Sequence, residues 1–358
     1  MSTPALTTPV VLIAFNRPQL TERTLAALRA VRPERLFVVA DGPRASHPED
    51  AALCAEVRAL VDGVDWACHV EKKYAERNLG LEANVELGLD WVFAQVEEAI
   101  VLEDDCIPDP TFFAYATELL DRYRDVPRVW MVSGDNKDVP RELFAGDSYA
   151  FTSWASVWGW ATWADRWHAH RALFDRDHAG TEDRAGLGAG LGAGLEAGPG
   201  AGPRTCDAHR VRPAVPAPGS LATTAARKHF NFVSTTVDGD RYGWDHHFWV
   251  TIMAQGGLCA TPAHNTVEND GYGEGATHTR AAKDPTPAEP MPFPLRHPSE
   301  VALNLEVEKE LELVLLRTDG RLSRLARRLI RPLWLRALVR RAITRPLVWR
   351  AVRQVVAR

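Results

Sequence analysis

Over the first 135 residues, short continuous apolar runs alternate with stretches of helical periodicity, and this alternation limits what the chain can fold into. Residues 9–15, 36–40 within the strand read at 35–41, and 99–102 are apolar without interruption, as strands buried on both faces of a parallel sheet must be. Residues 66–70 read as a third strand, and 129–132 as a fifth. Between them, residues 18–30, 49–61, 81–96 and 110–124 carry apolar positions at helical spacing, the first opened by Pro18 where a helix tolerates proline. Repeated strand–helix units predict an α/β fold with a mostly parallel, Rossmann-like sheet and helices on both faces.

Charge divides the rest of the chain. The formal net charge is −5, but residues 321–358 hold twelve Arg and no Asp, Glu or Lys, so the tail carries +12 and residues 1–320 carry −17. An acidic body does not offer the basic face that nucleic acid requires, so no nucleic-acid partner is expected. The tail intersperses Arg with Leu, Val, Ile and Trp and is broken by Pro332 and Pro346. It reads as basic amphipathic helices suited to an anionic membrane surface. The five cysteines form no CxxC pair, no basic leader precedes the first apolar run, and no stretch of eighteen apolar residues occurs. These features predict a cytoplasmic protein, peripheral on the inner face of the membrane.

Four regions follow. Residues 1–135 form the alternating half and 136–280 a second half. The second half contains a glycine-rich insertion at 180–222, where residues 186–203 alone hold eight Gly, four Ala and two Pro; such a segment buries too little to be ordered. A strand is expected after Lys228 and a helix over 242–254. Residues 281–320 are a proline-rich linker and helix, followed by the 321–358 tail.

Ligands of open parallel sheets sit at the carboxyl ends of the strands. Leu102-Glu103-Asp104-Asp105 lies at such an end. Three adjacent carboxylates repel one another, and a hard cation such as Mn²⁺ or Mg²⁺ would relieve that while leaving positions for phosphate. Phe15-Asn16-Arg17-Pro18, Asp41-Gly42 and Arg77-Asn78-Leu-Gly80 follow other strands. An Arg there can meet a diphosphate, and an Asp can accept from a base or ribose. No GxGxxG or P-loop pattern is present, so together these ends favour a nucleotide crevice of another kind.

These residues carry a resemblance. Val10-Val-Leu-Ile-Ala-Phe-Asn-Arg-Pro, Val39-Ala-Asp-Gly, Arg77-Asn-Leu-Gly and Val101-Leu-Glu-Asp-Asp-Cys-Ile-Pro-Asp-Pro-Thr-Phe-Phe resemble the GT-A glycosyltransferases, bacterial family-2-like enzymes foremost. They are also similar to the N-acetylglucosaminyltransferase I family. The resemblance spans about residues 9–280, with 170–225 unmatched. It implies a GT-A fold and a transferase using a nucleotide-sugar donor, UDP- or GDP-linked, with a glycan or lipid-linked acceptor. It further implies Asp105 as metal ligand, Glu103 and Asp104 at ribose or metal-bound water, and Asn16, Arg17, Asp41, Arg77 and Asn78 along the nucleotide.

The same resemblance extends to Trp158-Gly159-Trp160, a segment that lines donor and acceptor sites, where aromatic faces suit the C–H faces of sugars. Exposure is expected from Trp158 to Trp160. In Gly243-Trp-Asp245-His246-His-Phe-Trp249 a catalytic Asp follows the Trp. An inverting transfer needs a base for the acceptor hydroxyl, and Asp245 fits if its surroundings raise its pKa. The N-acetylglucosaminyltransferase pattern has a second acid where this chain has His246, which makes His246 the alternative base. His278, in a glycine-rich stretch, resembles a histidine that meets metal or diphosphate. Two rivals remain: a sugar-1-phosphate nucleotidyltransferase, which should carry a glycine-rich basic loop after the first strand, and a non-catalytic glycan-binding or membrane scaffold.

Overall fold

A computed structural model describes residues 5–178, 243–271 and 286–315, the side chains of 174–178 excepted. The glycine-rich insertion, the strand expected after Lys228, His278 and the basic tail lie outside these residues.

Among the described residues, eight strands form one sheet in the order β3-β2-β1-β4-β8-β6-β9-β7. They are β1 (Val10–Ala14), β2 (Arg35–Ala40), β3 (His69–Tyr74), β4 (Glu98–Glu103), β6 (Val129–Ser133), β7 (Tyr149–Thr152), β8 (Trp160–Trp163) and β9 (Leu258–Pro262). All but β7 and β8 run in one direction. The sheet is continuous across residue 135, with β4 and β6 both paired to β8. A separate antiparallel ribbon joins β5 (Cys106–Pro108) to β10 (Val267–Asn269).

The apolar runs behave as their composition requires. All five residues of β1 are buried, Val10 and Leu12 toward one layer and Val11 and Ile13 toward the other. Helices α1 (Pro18–Val31) and α4 (Pro110–Tyr123) cover the first face through Leu25, Leu28, Phe112, Phe113, Leu119 and Leu120. Helices α3 (Leu81–Phe93), α5 (Ala164–His178) and α6 (Trp244–Ala254) cover the second through Val85, Leu89, Trp167, Trp244 and Phe248. Helix α2 (Asp50–Asp62) packs beside α1. The α/β architecture with helices on both faces is as expected.

Two strand readings shift. The third strand starts at His69, three residues beyond the expected 66. It is an edge strand, His-Val-Glu-Lys-Lys-Tyr, half-exposed throughout, so its polar side chains hide the apolar signal. Trp66 instead packs on the core and donates its indole N–H to the Pro33 carbonyl at 3.2 Å. Strand β8 lies hidden in the Trp-rich stretch, whose composition alone does not mark it as a strand. Its four residues are all buried, and Trp160 stacks on Trp244 with ring centroids 5.6 Å apart.

Helix α7 (Leu305–Leu315) closes the described chain. Val307 and Leu311 pack against Trp154, Trp249 and Phe144, and Glu308 and Glu312, one turn apart, are buried as well. Glu308 accepts the Ser153 backbone N–H at 2.8 Å and also the Ser153 hydroxyl. Burial pushes its carboxyl up to about 7 against the Ser153 donors, and the Glu312 charge adds to the rise. Among the described residues no helix is long and apolar enough to cross a membrane.

Candidate functional site

Strands β1, β2, β4 and β6 end at one edge of the sheet, and the strand order reverses between β1 and β4. That reversal opens the crevice in which ligands of such sheets bind. The polar strand ends meet there.

Arg17, at the end of β1, reaches across to the end of β4. It pairs through Nη1 with Asp105 Oδ2 at 2.9 Å and through Nη2 with Asp104 Oδ1. Asp104 is 1% exposed and also accepts the Phe15 backbone N–H at 3.2 Å. Thr24, from α1, donates its hydroxyl to the Asp104 carbonyl at 2.9 Å. The ribbon supplies the other wall: Asn269 Nδ2 donates to Asp105 Oδ1 at 3.1 Å, and the Asp270 N–H donates to the Asp105 carbonyl at 2.9 Å. Gly271 lies so close that a Cβ there would sit 2.2 Å from Asp105 Oδ2.

One guanidinium does not balance three carboxyls. Burial first, then the charges of Asp105 and Asp104, push Glu103 up to about 8, with Arg17 opposing. Burial likewise pushes Asp104 up to about 6 in spite of Arg17. The site is short of positive charge and its carboxylates are hard oxygen donors, so it fits a divalent cation. The carboxylates of 103–105 do not converge on one point. Among the described residues, three metal-type ligands come within 4.8 Å of one another only at Glu82, Glu86 and His247. There His247 Nδ1 meets Glu82 Oε1 at 3.0 Å, and Glu86 pairs with Arg171 at 2.6 Å, tying α3 to α5 and α6. At the crevice, a cation would take Asp105 and complete its shell from a phosphate ligand.

The nucleotide residues divide differently from the expectation. Asp41, 4% exposed, accepts the N–H groups of Gly42, Leu79 and Gly80 at 2.8, 2.8 and 3.1 Å and the Asn78 amide at 2.8 Å. Asp41 and Asn78 therefore spend their polar groups on holding the 77–80 turn, and burial still leaves the Asp41 carboxyl raised. Asn16 donates to the buried Asp50 at 2.7 Å rather than facing a ligand. Arg17 is a counter-ion to two carboxylates rather than a lone diphosphate contact. Arg77 is exposed. The chain alone did not point to Arg44. It chelates Asp50 at 2.6 and 2.9 Å, lies over the Phe15 ring and is 40% exposed, placing a cation at the end of β2.

Asp245 and His246 occupy the first turn of α6, with His246 Nδ1 3.2 Å from Asp245 Oδ1. The negative charge of Asp245 adds a small part to the rise of Glu103, so Asp245 lies near enough to the end of β4 to act on it. The condition placed on Asp245 is not met. Burial raises its carboxyl, but the His246 hydrogen bond and charge outweigh burial and hold it below its ordinary value. Burial lowers His246, and Asp245 more than reverses that, leaving the imidazole raised. A base works best with a pKa near the working pH, which moves the assignment toward His246 oriented by Asp245.

The Trp segment also needs correction. Trp160 is fully buried and is core. Gly159 is buried at φ +66°, and a Cβ there would stand 2.7 Å from Val267, so it is a steric requirement and presents nothing to a sugar. Trp158 alone remains partly exposed, with Lys137 Nζ 2.9 Å above its ring centre. Lys137 follows Asp135 at the end of β6. The strand-end rule applied to Val129–Ser133 would have found Gly134-Asp135-Asn136.

No family model matches the chain, and no curated protein matches it. Solved structures do. The mannose-1-phosphate geranyltransferase of Thermus thermophilus is 14% identical, with a TM-score of 0.30, over 49% of this chain and 65% of its own. A UDP-glucose pyrophosphorylase complexed with UDP-glucose is 9% identical, TM-score 0.29, over 46% of this chain and 80% of its own. The galactosyltransferase LgtC, in complex with donor and acceptor sugar analogs, is 13% identical, TM-score 0.29, over 48% of this chain and 63% of its own. Similarity at this level assigns no activity.

Proposed function

We propose that this protein is an enzyme that uses a nucleotide sugar and transfers its sugar, with inversion, to an acceptor hydroxyl on a glycan or lipid-linked acceptor. The observation that supports the reading most is the Glu103-Asp104-Asp105 end of β4. It sits at the strand-order reversal, has one guanidinium for three carboxyls, and feels the charge of Asp245, the partner of His246. Asp105 would hold Mn²⁺ or Mg²⁺, which when bound offsets charge developing on the leaving nucleoside diphosphate.

The chain's own residues do the rest. Arg17 pairs with Asp104 and Asp105 and holds them in place. Asp245 fixes the His246 ring, and the imidazole takes the proton from the acceptor hydroxyl as that oxygen attacks the anomeric carbon and the bond to the diphosphate breaks. Arg44 and Arg77 supply the positive edge along the nucleotide.

The test uses the full chain with Mn²⁺ and a panel of UDP- and GDP-sugars, scoring nucleoside diphosphate release. Asp105→Ala should lose metal-dependent nucleotide binding by calorimetry. Asp245→Asn and His246→Ala should bind donor and lose turnover. Unchanged binding in the first variant removes the metal assignment, and near-normal turnover in the other two removes the base. Release of pyrophosphate from a nucleoside triphosphate and a sugar phosphate would establish the nucleotidyltransferase instead.

A further inference from the structure

Behind the crevice, two helices bring together ligating groups to which no chemistry has been given. Glu82 and Glu86, one turn apart in the first half of α3, lie on one face of that helix. His247, in the first turn of α6, meets them from the neighbouring helix. One atom of each residue lies within 4.8 Å of one atom of both others. His247 is 6% exposed, Glu86 13% and Glu82 31%, so solvent reaches the cluster from the Glu82 side.

Three observations go beyond a pair of helix-tying salt bridges. The first is spacing. A cation held by imidazole nitrogen and carboxylate oxygen at about 2.0–2.2 Å keeps its ligand atoms roughly 3.0–3.5 Å apart. His247 Nδ1 and Glu82 Oε1 already stand at 3.0 Å, and the flexible Glu86 side chain has little distance to close. The second is Glu86 itself. Arg171 takes its Oε2 at 2.6 Å, but its Oε1 is buried with no hydrogen-bond partner among the described residues. Leaving a buried carboxylate oxygen unmatched is costly. The third is charge. Arg171 also lies 3.2 Å from Asp90 Oδ1, so among the described residues one guanidinium answers two carboxylates of α3 while Glu82 adds a third. Burial pushes the Glu86 carboxyl up, Arg171 opposes that, and the Glu82 charge adds to the rise. A divalent cation supplies the two charges that are missing.

We propose that Glu82, Glu86 and His247 form a divalent-cation site of their own, separate from Asp105, that takes a Zn²⁺-type transition ion and bridges α3 to α6. One imidazole with two carboxylates is a mixed nitrogen–oxygen set, which suits Zn²⁺ or Co²⁺ better than Mg²⁺ or Ca²⁺. Water entering beside Glu82 completes the shell. Ligating carboxylates are commonly hydrogen-bonded in their turn, so Arg171 on Oε2 orients Glu86. The bridge has a place in the fold. Helix α3 begins where the turn clamped by Asp41 ends, and α6 begins with Asp245 and His246. A cation between them fixes the start of one helix against the start of the other. The site stands on these residues alone and does not depend on the nucleotide-sugar reading.

The experiment takes the full chain, stripped of metal with a chelator, as wild type, Asp105→Ala, Glu82→Gln and His247→Gln, with far-UV circular dichroism confirming the fold of each. Calorimetry measures Zn²⁺ without nucleotide, and the visible absorption of added Co²⁺ reports a shell that contains imidazole. Asp105→Ala should keep both the Zn²⁺ affinity and the Co²⁺ band, whatever it does to nucleotide binding. Glu82→Gln should weaken Zn²⁺ by about tenfold or more, and His247→Gln should lose the band. Zn²⁺ should also raise the Tm of the wild type and of Asp105→Ala more than that of either helix variant. If His247→Gln does not fold, Glu82→Gln decides alone. The proposal is overturned if the wild type binds no Zn²⁺, if Asp105→Ala removes all of the binding, or if Glu82→Gln and His247→Gln bind Zn²⁺ as the wild type does.

Discussion

The burial of Glu308 has a measurable consequence. In the folded chain its carboxyl is raised to about 7, whereas an exposed Glu titrates near 4.5. The difference, about 2.5 pH units at roughly 1.4 kcal/mol each, is about 3 kcal/mol. The folded state binds the proton more tightly, so this stabilisation is fully present below pH 4.5 and is lost as pH rises through 7. The charge of Glu312, one turn along the same helix, adds to the rise. Glu308→Gln keeps an acceptor for the Ser153 N–H and removes the ionisation. Urea unfolding followed by tryptophan fluorescence suits the test, because Trp154 and Trp249 pack in the same cluster as α7. At about pH 5 the two proteins should unfold within about 1 kcal/mol of each other, and at about pH 8 the variant should be more stable by up to about 3 kcal/mol. Glu103 and Asp104 titrate with the same sign but are common to both proteins, so the difference isolates position 308. Parallel pH profiles would show that Glu308 is not buried as an acid.

Arg17→Met leaves Asp104 and Asp105 without their guanidinium and should cost roughly 3–5 kcal/mol at neutral pH, as loss of one partner of a buried pair does. Mn²⁺ should recover part of that loss, giving a larger metal-induced rise in Tm than in the wild type; equal rises would separate Arg17 from the cation site. Gly159→Ala places a Cβ against Val267 at left-handed φ and should destabilise by about 2–4 kcal/mol in chemical denaturation. A loss under about 0.5 kcal/mol would mean that the turn relaxes freely. Deleting residues 321–358 should release the protein from anionic vesicles in a flotation assay, since that segment holds twelve of the positive charges; retained binding assigns attachment elsewhere.

The sheet was legible because buried parallel strands need uninterrupted apolar runs, and β1, β2 and β4 have them. Edge strand β3 lacked the signal, and β5 and β10 are three residues long, too short for any periodicity. The site was legible as a place before it was legible as a set of roles. Strand ends pointed to Arg17, Asp41, Asp104 and Asp105, which the fold does gather. What local sequence could not supply was each group's partner. Arg17 meets Asp105 across 88 positions and Asn78 meets Asp41 across 37, and such pairings turn an apparent ligand contact into a counter-ion or a turn clamp. Trp158 and Trp160 show the same limit at short range: two residues apart, one stands partly exposed at a cleft and the other is sealed in the sheet.

Partnering also separates the acids that hold the fold from those that await something. A buried carboxyl either finds donors or gives up its charge. Asp50 finds Arg44, which holds it well below the ordinary carboxylate range, and it anchors Asn16 at the end of β1. Glu308 takes both donors of Ser153 and is driven by burial toward the neutral acid, with no cation to oppose the rise. It lies in the α7 packing layer, where nothing needs its charge. Glu103 is driven further still, to about 8, but its drivers differ: besides burial they are Asp104, Asp105 and Asp245, all carboxylates of the crevice. A raised acid in a packing layer, like Glu308, reports burial first, with one neighbouring acid adding to it. A raised acid whose perturbers are other acids around an open crevice reports missing positive charge, which a divalent cation at Asp105 would supply. On this argument, added Mn²⁺ should lower the Glu103 titration and leave that of Glu308 where it is, a contrast that ¹³C-carboxyl NMR of the two residues can read. Equal shifts, or none at Glu103, would mean that the three carboxylates are balanced by the protein itself.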